Sequence, residues 1–119
     1  MSEDIKTAEL ADEKGLLFAL GLAARARALV FGVPQICEAL AKTKKGGKNP
    51  LLVIEASDTS DNTHKRISDR CQYYNVKHVR IAADTATLAH ALGKSALLAA
   101  VAITDENLCR LVENHLKIN

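Results

Sequence analysis

Short apolar runs alternate with segments of helical spacing along almost the whole of this 119-residue sequence. Apolar runs at residues 28–31, 51–54 and 97–103, together with an alternating segment at residues 76–81, predict four β-strands. The segments around them repeat apolar residues at intervals of three and four, which predicts amphipathic helices. Strands that alternate with helices predict an α/β fold, with helices packed on both faces of a largely parallel sheet in a three-layer α/β/α sandwich.

The predicted helix boundaries follow from capping residues. The first helix begins near Asp12, and the second carries Pro34 in its first turn, where proline is tolerated. A third helix follows the possible N-caps at residues 57–60 and reaches about Tyr74. A fourth is capped by Asp84 or Thr85 and stops at Gly93, and a fifth begins at residues 104–106.

Two of the apolar runs predict where the centre of the sheet lies. Residues 51–54 and 98–103 are apolar at successive positions, so both of their faces need cover from helices. We therefore expect them in neighbouring central strands. In the third strand, Val79 and Ile81 are expected to point inward.

Length and the absence of targeting signals bound the class of protein. The chain suits one domain, residues 13–119, preceded by a flexible acidic tail at residues 1–12. No apolar run approaches the roughly 18 residues that a membrane span needs. The acidic start also lacks the positive region of a secretory signal, so we expect a cytoplasmic protein with no membrane partner.

Charge is distributed unevenly, although the net charge is only +2. Residues 1–13 carry a net charge of −4, whereas residues 14–48 carry +6. A basic stretch of this kind favours contact with phosphates, but a lysine-rich loop is also an ordinary solvated surface. Charge alone leaves both interpretations open.

Catalytic, metal and nucleotide signals are weak. Cys37, Cys71 and Cys109 lie in apolar periodic segments, which is typical of reduced core thiols. The four histidines show no spacing that pairs them as metal ligands. The Gly93–Lys94–Ser95 sequence resembles the end of a phosphate-binding loop but has Leu88 where that motif requires glycine. We therefore expect no enzyme activity, no metal and no cofactor.

The glycine turn before the second helix is the most suggestive local feature. Gly32 ends an apolar run and feeds the helix that begins with Val33, Pro34 and Gln35. Such a turn can present backbone N–H groups and the positive end of the helix to an RNA phosphate. Without further information, the simpler interpretation is structural, as a tight strand-to-helix turn.

The order of elements, together with several motifs, resembles the kink-turn-binding ribosomal protein family of the L7Ae and L30e type, and within it the small bacterial YlxQ-like branch. The motifs are LGLAARAR at 20–27, GVPQICEAL at 32–40, LVIEASDTSDNT at 52–63, CQYYNV at 71–76, and LGK at 92–94 with AITDE at 102–106. The resemblance implies a four-stranded mixed sheet in which one strand, expected to be the fourth, runs antiparallel to the rest. It also implies binding of structured RNA, either a kink-turn or ribosomal RNA, and association with the ribosome.

The resemblance also implies which residues contact RNA. The family glycine falls on Gly32, its guanine-reading glutamate on Gln35, and its loop against the flipped-out nucleotide on Lys94, Ser95, Ala96 and Leu97. The full set of candidate RNA-contact residues is Gly32, Val33, Pro34, Gln35, Glu38, Lys42, Lys44, Lys45, Lys48, Glu55, Lys94, Ser95, Ala96 and Leu97.

Two positions depart from the family pattern. Pro34 stands where the family has asparagine, and Glu38 stands where it has lysine. Proline offers no donor to a guanine edge, and a carboxylate repels phosphate. The alternative hypothesis is therefore a ribosome-associated or protein-interaction accessory module that keeps the fold without recognising kink-turns.

Overall fold

The computed structural model describes residues 13–116, so the acidic tail and the last three residues lie outside the described part. Helices and strands alternate along this part, as the sequence predicts. The elements are α1 (Glu13–Arg25), β1 (Leu29–Phe31), α2 (Val33–Ala41), β2 (Leu52–Glu55), α3 (Asp61–Tyr73), β3 (Lys77–Arg80), α4 (Thr85–Ala91), β4 (Ala100–Ile103) and α5 (Glu106–Leu116).

The four strands form one mixed sheet in the order β1-β4-β2-β3. Strand β4 runs antiparallel to both of its neighbours, with Phe31 opposite Val101 and Glu55 opposite Ala100. Strands β2 and β3 are parallel. The prediction that the second and fourth apolar runs are central neighbours is confirmed, as is the antiparallel direction of the fourth strand.

Strands β2 and β4 are buried at every position because helices cover both faces of the sheet. Leu52 and Ile54 of β2 point to one face, where they pack with α1, α4 and α5. Val53 points to the other face, where it packs with α2 and α3. The strand period of two residues thus divides the core into two clusters and gives the predicted three-layer α/β/α sandwich.

Local details support the predicted boundaries of the helices. The Ser60 hydroxyl accepts a hydrogen bond from the Thr63 N–H and caps α3, and the Asp84 carboxylate accepts one from the Thr87 N–H and caps α4. Gly93 follows α4 with a φ of 73°, a conformation that favours glycine. Asp12, the predicted cap of α1, lies outside the described residues.

The fourth strand is shorter than the sequence predicts. It begins at Ala100, and the side chain of Leu97 is 72% exposed in the loop before it. Leu97 is therefore an apolar residue at the surface and is not part of the core. Val79 and Ile81 are buried, as expected for the inward face of the third strand.

The three cysteines are buried free thiols, which confirms their predicted place in the core. Cys109 packs in the cluster beneath α1, α4 and α5, whereas Cys37 and Cys71 belong to the cluster beneath α2 and α3. Burial is the main factor that raises the pKa of the Cys71 thiol to about 11.

Candidate functional site

The turn between β1 and α2 depends on glycine. Gly32 has φ 90° and ψ 150°, a region of backbone space that is essentially restricted to glycine. A Cβ atom at this position would lie 2.9 Å from Gln35 Oε1. The Gly32 N–H donates to the Ala100 carbonyl at 3.0 Å, which fixes the turn to the start of β4.

The first turn of α2 presents polar groups at the surface. Pro34 and Gln35 are exposed, whereas Val33 turns into the core between α2 and α3. Helix N-termini leave backbone N–H groups without intrahelical partners, although Pro34 contributes none. An exposed amide next to such a terminus can accept or donate hydrogen bonds to a base edge or phosphate.

The loop after α4 lies beside this turn. Lys94 Nζ is 4.1 Å from the centroid of the Phe31 ring, a cation–π contact with the residue that precedes Gly32. Ser95, Ala96 and Leu97 continue the loop and are exposed. The structure therefore brings together two of the segments that sequence analysis assigned to RNA, the turn at residues 31–35 and the loop at residues 94–97.

The lysines that follow α2 lie at its opposite end. Helix α2 has nine residues and is about 13 Å long. Lys42 caps its C-terminus and forms an ion pair with Glu38 at 3.0 Å, one turn earlier on the same helix. The Glu38 carboxylate is thus partly neutralised by a neighbouring cation and does not act as an isolated negative charge.

The remaining predicted lysines, Lys44, Lys45 and Lys48, are exposed in the loop between α2 and β2. Asn49 closes this loop, because its Oδ1 accepts from the Lys44 N–H at 2.9 Å and its Nδ2 donates to the Lys44 carbonyl at 2.7 Å. Together with Lys42, these cations form a basic segment at the end of α2 that lies opposite the Gly32 turn.

Glu55 occupies a different environment from the other predicted contact residues. It ends β2 and its side chain is completely buried. Glu55 lies opposite Ala100 of β4, whose carbonyl bonds to Gly32. Glu55 therefore lies at the same end of the strands as the glycine turn, at a distance of roughly two strand spacings, but beneath the surface.

Four side chains surround the Glu55 carboxylate. His78 Nε2 lies 2.6 Å and His64 Nδ1 lies 2.8 Å from Oε1, while the Thr59 hydroxyl donates to Oε2. Arg80 Nε is 3.8 Å from Oε2. Burial alone would raise the pKa of Glu55, but the hydrogen bonds from His78, Thr59 and His64 outweigh it and lower the pKa to about 2.

No pattern in the sequence predicts this cluster. The two histidines follow Glu55 by nine and 23 residues and belong to α3 and β3, so no local spacing pairs them. A signal was nonetheless present, because a carboxylate at the end of a fully apolar strand must find hydrogen-bond donors from other elements.

None of the helices within residues 13–116 is long and apolar enough to cross a membrane.

Comparison with known proteins identifies the family. Residues 15–112 match the sequence profile of the family described as Ribosomal protein L7Ae/L30e/S12e/Gadd45. The chain belongs to this family. A relative from Bacillus subtilis (strain 168), named RNA-binding protein YlxQ, is 34% identical over 87 residues, which is 73% of this chain and 80% of the relative.

Two solved structures share the architecture. A protein of unknown function from Bacillus halodurans C is 29% identical and superposes with a TM-score of 0.74, over 87% of this chain and 97% of that one. The Giardia lamblia 15.5kD RNA binding protein is 21% identical and superposes with a TM-score of 0.68, over 87% of this chain and 83% of that one. The second likeness shows the fold alone. Together with the family match, these neighbours confirm the L30e-like architecture.

Proposed function

We propose that this protein is a cytoplasmic, non-enzymatic RNA-binding protein that recognises a kink-turn or similarly bent RNA, with ribosomal RNA as the target. The observation that carries the proposal is the contact between Lys94 and Phe31, which joins the loop at residues 94–97 to the turn at residues 31–35. A bent RNA presents a sharp backbone turn and an extruded nucleotide close together, and these two segments form a matching pair of contacts.

Each segment supplies a different kind of contact. The N-terminus of α2 attracts a phosphate, and the exposed Gln35 amide can accept hydrogen bonds from a guanine edge. Leu97, which is 72% exposed, offers an apolar surface to an unstacked base, and Lys94 can approach a phosphate. Glu55 is buried, so in this proposal it does not contact RNA directly but stabilises the end of β2 below the binding surface.

The basic segment at the far end of α2 has a separate role in this proposal. Lys42 ends α2 about 13 Å from the glycine turn, and Lys44, Lys45 and Lys48 follow it in the next loop. Exposed lysines contact phosphates without reading sequence, so they would hold the flanking duplex. Their contribution to affinity should fall steeply as salt rises.

The comparisons with known proteins support the proposal of RNA binding. The Bacillus subtilis relative is named as an RNA-binding protein, and the family includes ribosomal proteins. We extend RNA binding to this chain on that basis, and we extend bent-RNA recognition on the arrangement of the two segments.

The test is a comparison of affinities at fixed salt for a kink-turn RNA and a straight duplex of equal length. We expect the kink-turn to bind at least about 10-fold more tightly, a difference of about 1.4 kcal/mol. Gln35→Ala and Leu97→Ser should reduce this preference, whereas Gln72→Ala, an exposed amide on α3, should leave it unchanged. Equal affinity for both RNAs would overturn the proposal of bent-RNA recognition.

A second candidate function is an accessory module that binds the ribosome through protein contacts. The observation that favours it is the Glu38–Lys42 ion pair, which places a carboxylate on the helix where the family has a lysine. Association with ribosomes that survives loss of the Gln35 and Leu97 side chains, combined with equal RNA affinities, would support this alternative.

A further inference from the structure

Three side chains with metal-binding atoms meet beside the sheet, although they come from three separate elements. We propose that Glu55, His64 and His78 form a binding site for a divalent transition-metal ion of the zinc class. The carboxylate comes from the end of β2, one imidazole from the first turns of α3 and the other from β3. Their candidate ligand atoms all lie within 4.8 Å of one another.

The geometry is convergent and not merely close. His64 Nδ1 and His78 Nε2 both contact Glu55 Oε1, at 2.8 and 2.6 Å, and His64 Nδ1 also lies 3.0 Å from Oε2. The two ring centroids are 5.7 Å apart, so the rings approach this oxygen from different directions. An ion placed between the three atoms would therefore meet a pyramid of two nitrogens and one oxygen.

Metal binding requires only a small expansion of this arrangement. Zinc bonds of about 2.0–2.1 Å in a tetrahedral arrangement separate neighbouring ligand atoms by about 3.3 Å. Each ring must therefore withdraw from the carboxylate by roughly 0.6 Å. His64 has the most freedom to move, because its side chain is 41% exposed. The shift between His78, at 14% exposure, and the buried Glu55 carboxylate must be shared by small rotations of both side chains.

The carboxylate is already oriented for a ligand role. Thr59 donates its hydroxyl hydrogen to Oε2, and the Arg80 guanidinium lies on the same side. These contacts hold the carboxylate so that Oε1 faces both imidazoles, while Oε2 also lies 3.0 Å from His64 Nδ1. This is the kind of support that outer groups give to metal ligands.

The donor set selects the class of ion. Two imidazoles and one carboxylate suit zinc and other late transition metals, whereas magnesium and calcium prefer oxygen ligands. Three protein ligands leave a fourth position for water or another donor, and the exposed side of His64 gives that position access to solvent.

Metal binding requires each neutral imidazole to change its tautomer. In the hydrogen-bonded state each imidazole donates an N–H to the carboxylate, and that proton occupies the direction that the metal would take. On binding, a neutral ring carries its proton on the other nitrogen and offers the first nitrogen as a lone-pair donor. The ion thus replaces two hydrogen bonds with three coordination bonds, without oxidation or reduction.

The experiment uses the full chain without an affinity tag, stripped with EDTA and titrated with Zn²⁺ by calorimetry and with Co²⁺ by visible absorption. We expect one equivalent of metal and a Co²⁺ spectrum typical of mixed nitrogen and oxygen ligands. His64→Gln and His78→Gln should each lower the affinity by at least about 10-fold. His90→Gln, which alters an exposed histidine of α4 outside the cluster, should not change it.

Several outcomes would overturn the proposal. Binding of less than one equivalent, or equal affinity in the wild type and in His64→Gln, would mean that the cluster is only a hydrogen-bonded network. Loss of binding in His90→Gln to the same extent would mean that surface histidines bind the ion adventitiously. If His78→Gln fails to fold, His64→Gln carries the test, because its partly exposed ring can be changed without opening the core.

Discussion

Lys94 Nζ lies 4.1 Å from the centroid of the Phe31 ring. This contact connects the loop before β4 to the residue that precedes the glycine turn. Because β1 pairs antiparallel with β4, the two segments also lie at the same end of these strands, with Phe31 opposite Val101. The candidate RNA surface is therefore held by both a side-chain contact and the backbone ladder.

Replacing Phe31 with leucine should weaken RNA binding and have little effect on the fold. The aromatic face that orients Lys94 is lost, and cation–π contacts at exposed sites are worth about 0.5–1 kcal/mol. We expect a loss of about two- to fivefold in affinity for a kink-turn RNA at fixed salt. Phe18→Leu, at a 68% exposed position of α1, is the matched control and should bind like the wild type.

Restoring the family pattern with Pro34→Asn and Glu38→Lys should strengthen binding to a kink-turn more than to a duplex. Asparagine supplies a donor and an acceptor at the first turn of α2, and lysine replaces a carboxylate that Lys42 only partly neutralises. Each change is expected to contribute about 1–3 kcal/mol, by analogy with base-edge contacts in DNA.

The structure adds a control for this double variant. Glu38 pairs with Lys42 at 3.0 Å, so Glu38→Gln releases Lys42 without adding a cation. Lysine at position 38 alone should improve binding to any phosphate backbone and steepen the salt dependence by roughly one ion. Equal gains for kink-turn and duplex in the double variant would place the turn away from the bend.

Gly32→Ala should destabilise the protein by about 1–3 kcal/mol, because only glycine readily adopts its φ and ψ and the new Cβ would approach Gln35 Oε1. Urea unfolding measures the change. Gly21→Ala provides the contrast, since the added Cβ in α1 would meet only Ala91 O at 3.8 Å. That helical substitution should be neutral or stabilising by up to about 1 kcal/mol; equal losses in both variants would argue against a special backbone role for Gly32.

The buried thiols should react slowly in the native protein. Burial is the main cause of the rise in the Cys71 pKa from 9.0 to about 11, to which Cys37 and Glu55 also contribute. A rise of this size lowers the thiolate fraction near pH 8 by on the order of 100-fold. Labelling with a disulfide reagent should therefore be slow until urea unfolds the chain. Rapid native labelling of all three cysteines would contradict this.

The same shift predicts a dependence of stability on pH. A raised pKa means that the folded protein binds the Cys71 proton more tightly than the unfolded chain does. This stabilisation is fully present below about pH 9 and is lost as pH rises toward 11. Cys71→Ala should flatten the alkaline decline in the free energy of unfolding, measured by urea titration across this range.

The central strands and the buried cysteines could be predicted because both depend on local apolar patterns. Residues 51–54 are apolar in succession, which requires cover on two faces wherever the strand lies. Leu97 misled the same reasoning, because an apolar residue next to a strand can be exposed. Apolar periodicity reports burial only on average, so it misplaced the start of β4.

The Glu55 cluster could not be found from local spacing. His64 and His78 reach the carboxylate only after α3 has crossed over to β3 and placed that strand beside β2. Sites of this kind depend on long-range topology, whereas motif searches detect ligands that are neighbours on one helix or turn. The carboxylate of Glu55 at the end of an apolar strand was the available signal. It indicated that hydrogen-bond donors must lie nearby, but it did not identify the residues that supply them.

The position of β4 between β1 and β2 has a consequence for synthesis on the ribosome. Leu29 pairs with Ile103, and so does Leu52, so the strand that joins the sheet is the last one translated. Until residues 100–103 leave the exit tunnel, β1 lacks its partner and β2 has an unpaired edge. Such long-range pairing slows folding and exposes strand edges meanwhile. Nascent chains that stop before Ala100 should therefore remain sensitive to protease, and protection should appear abruptly once β4 emerges.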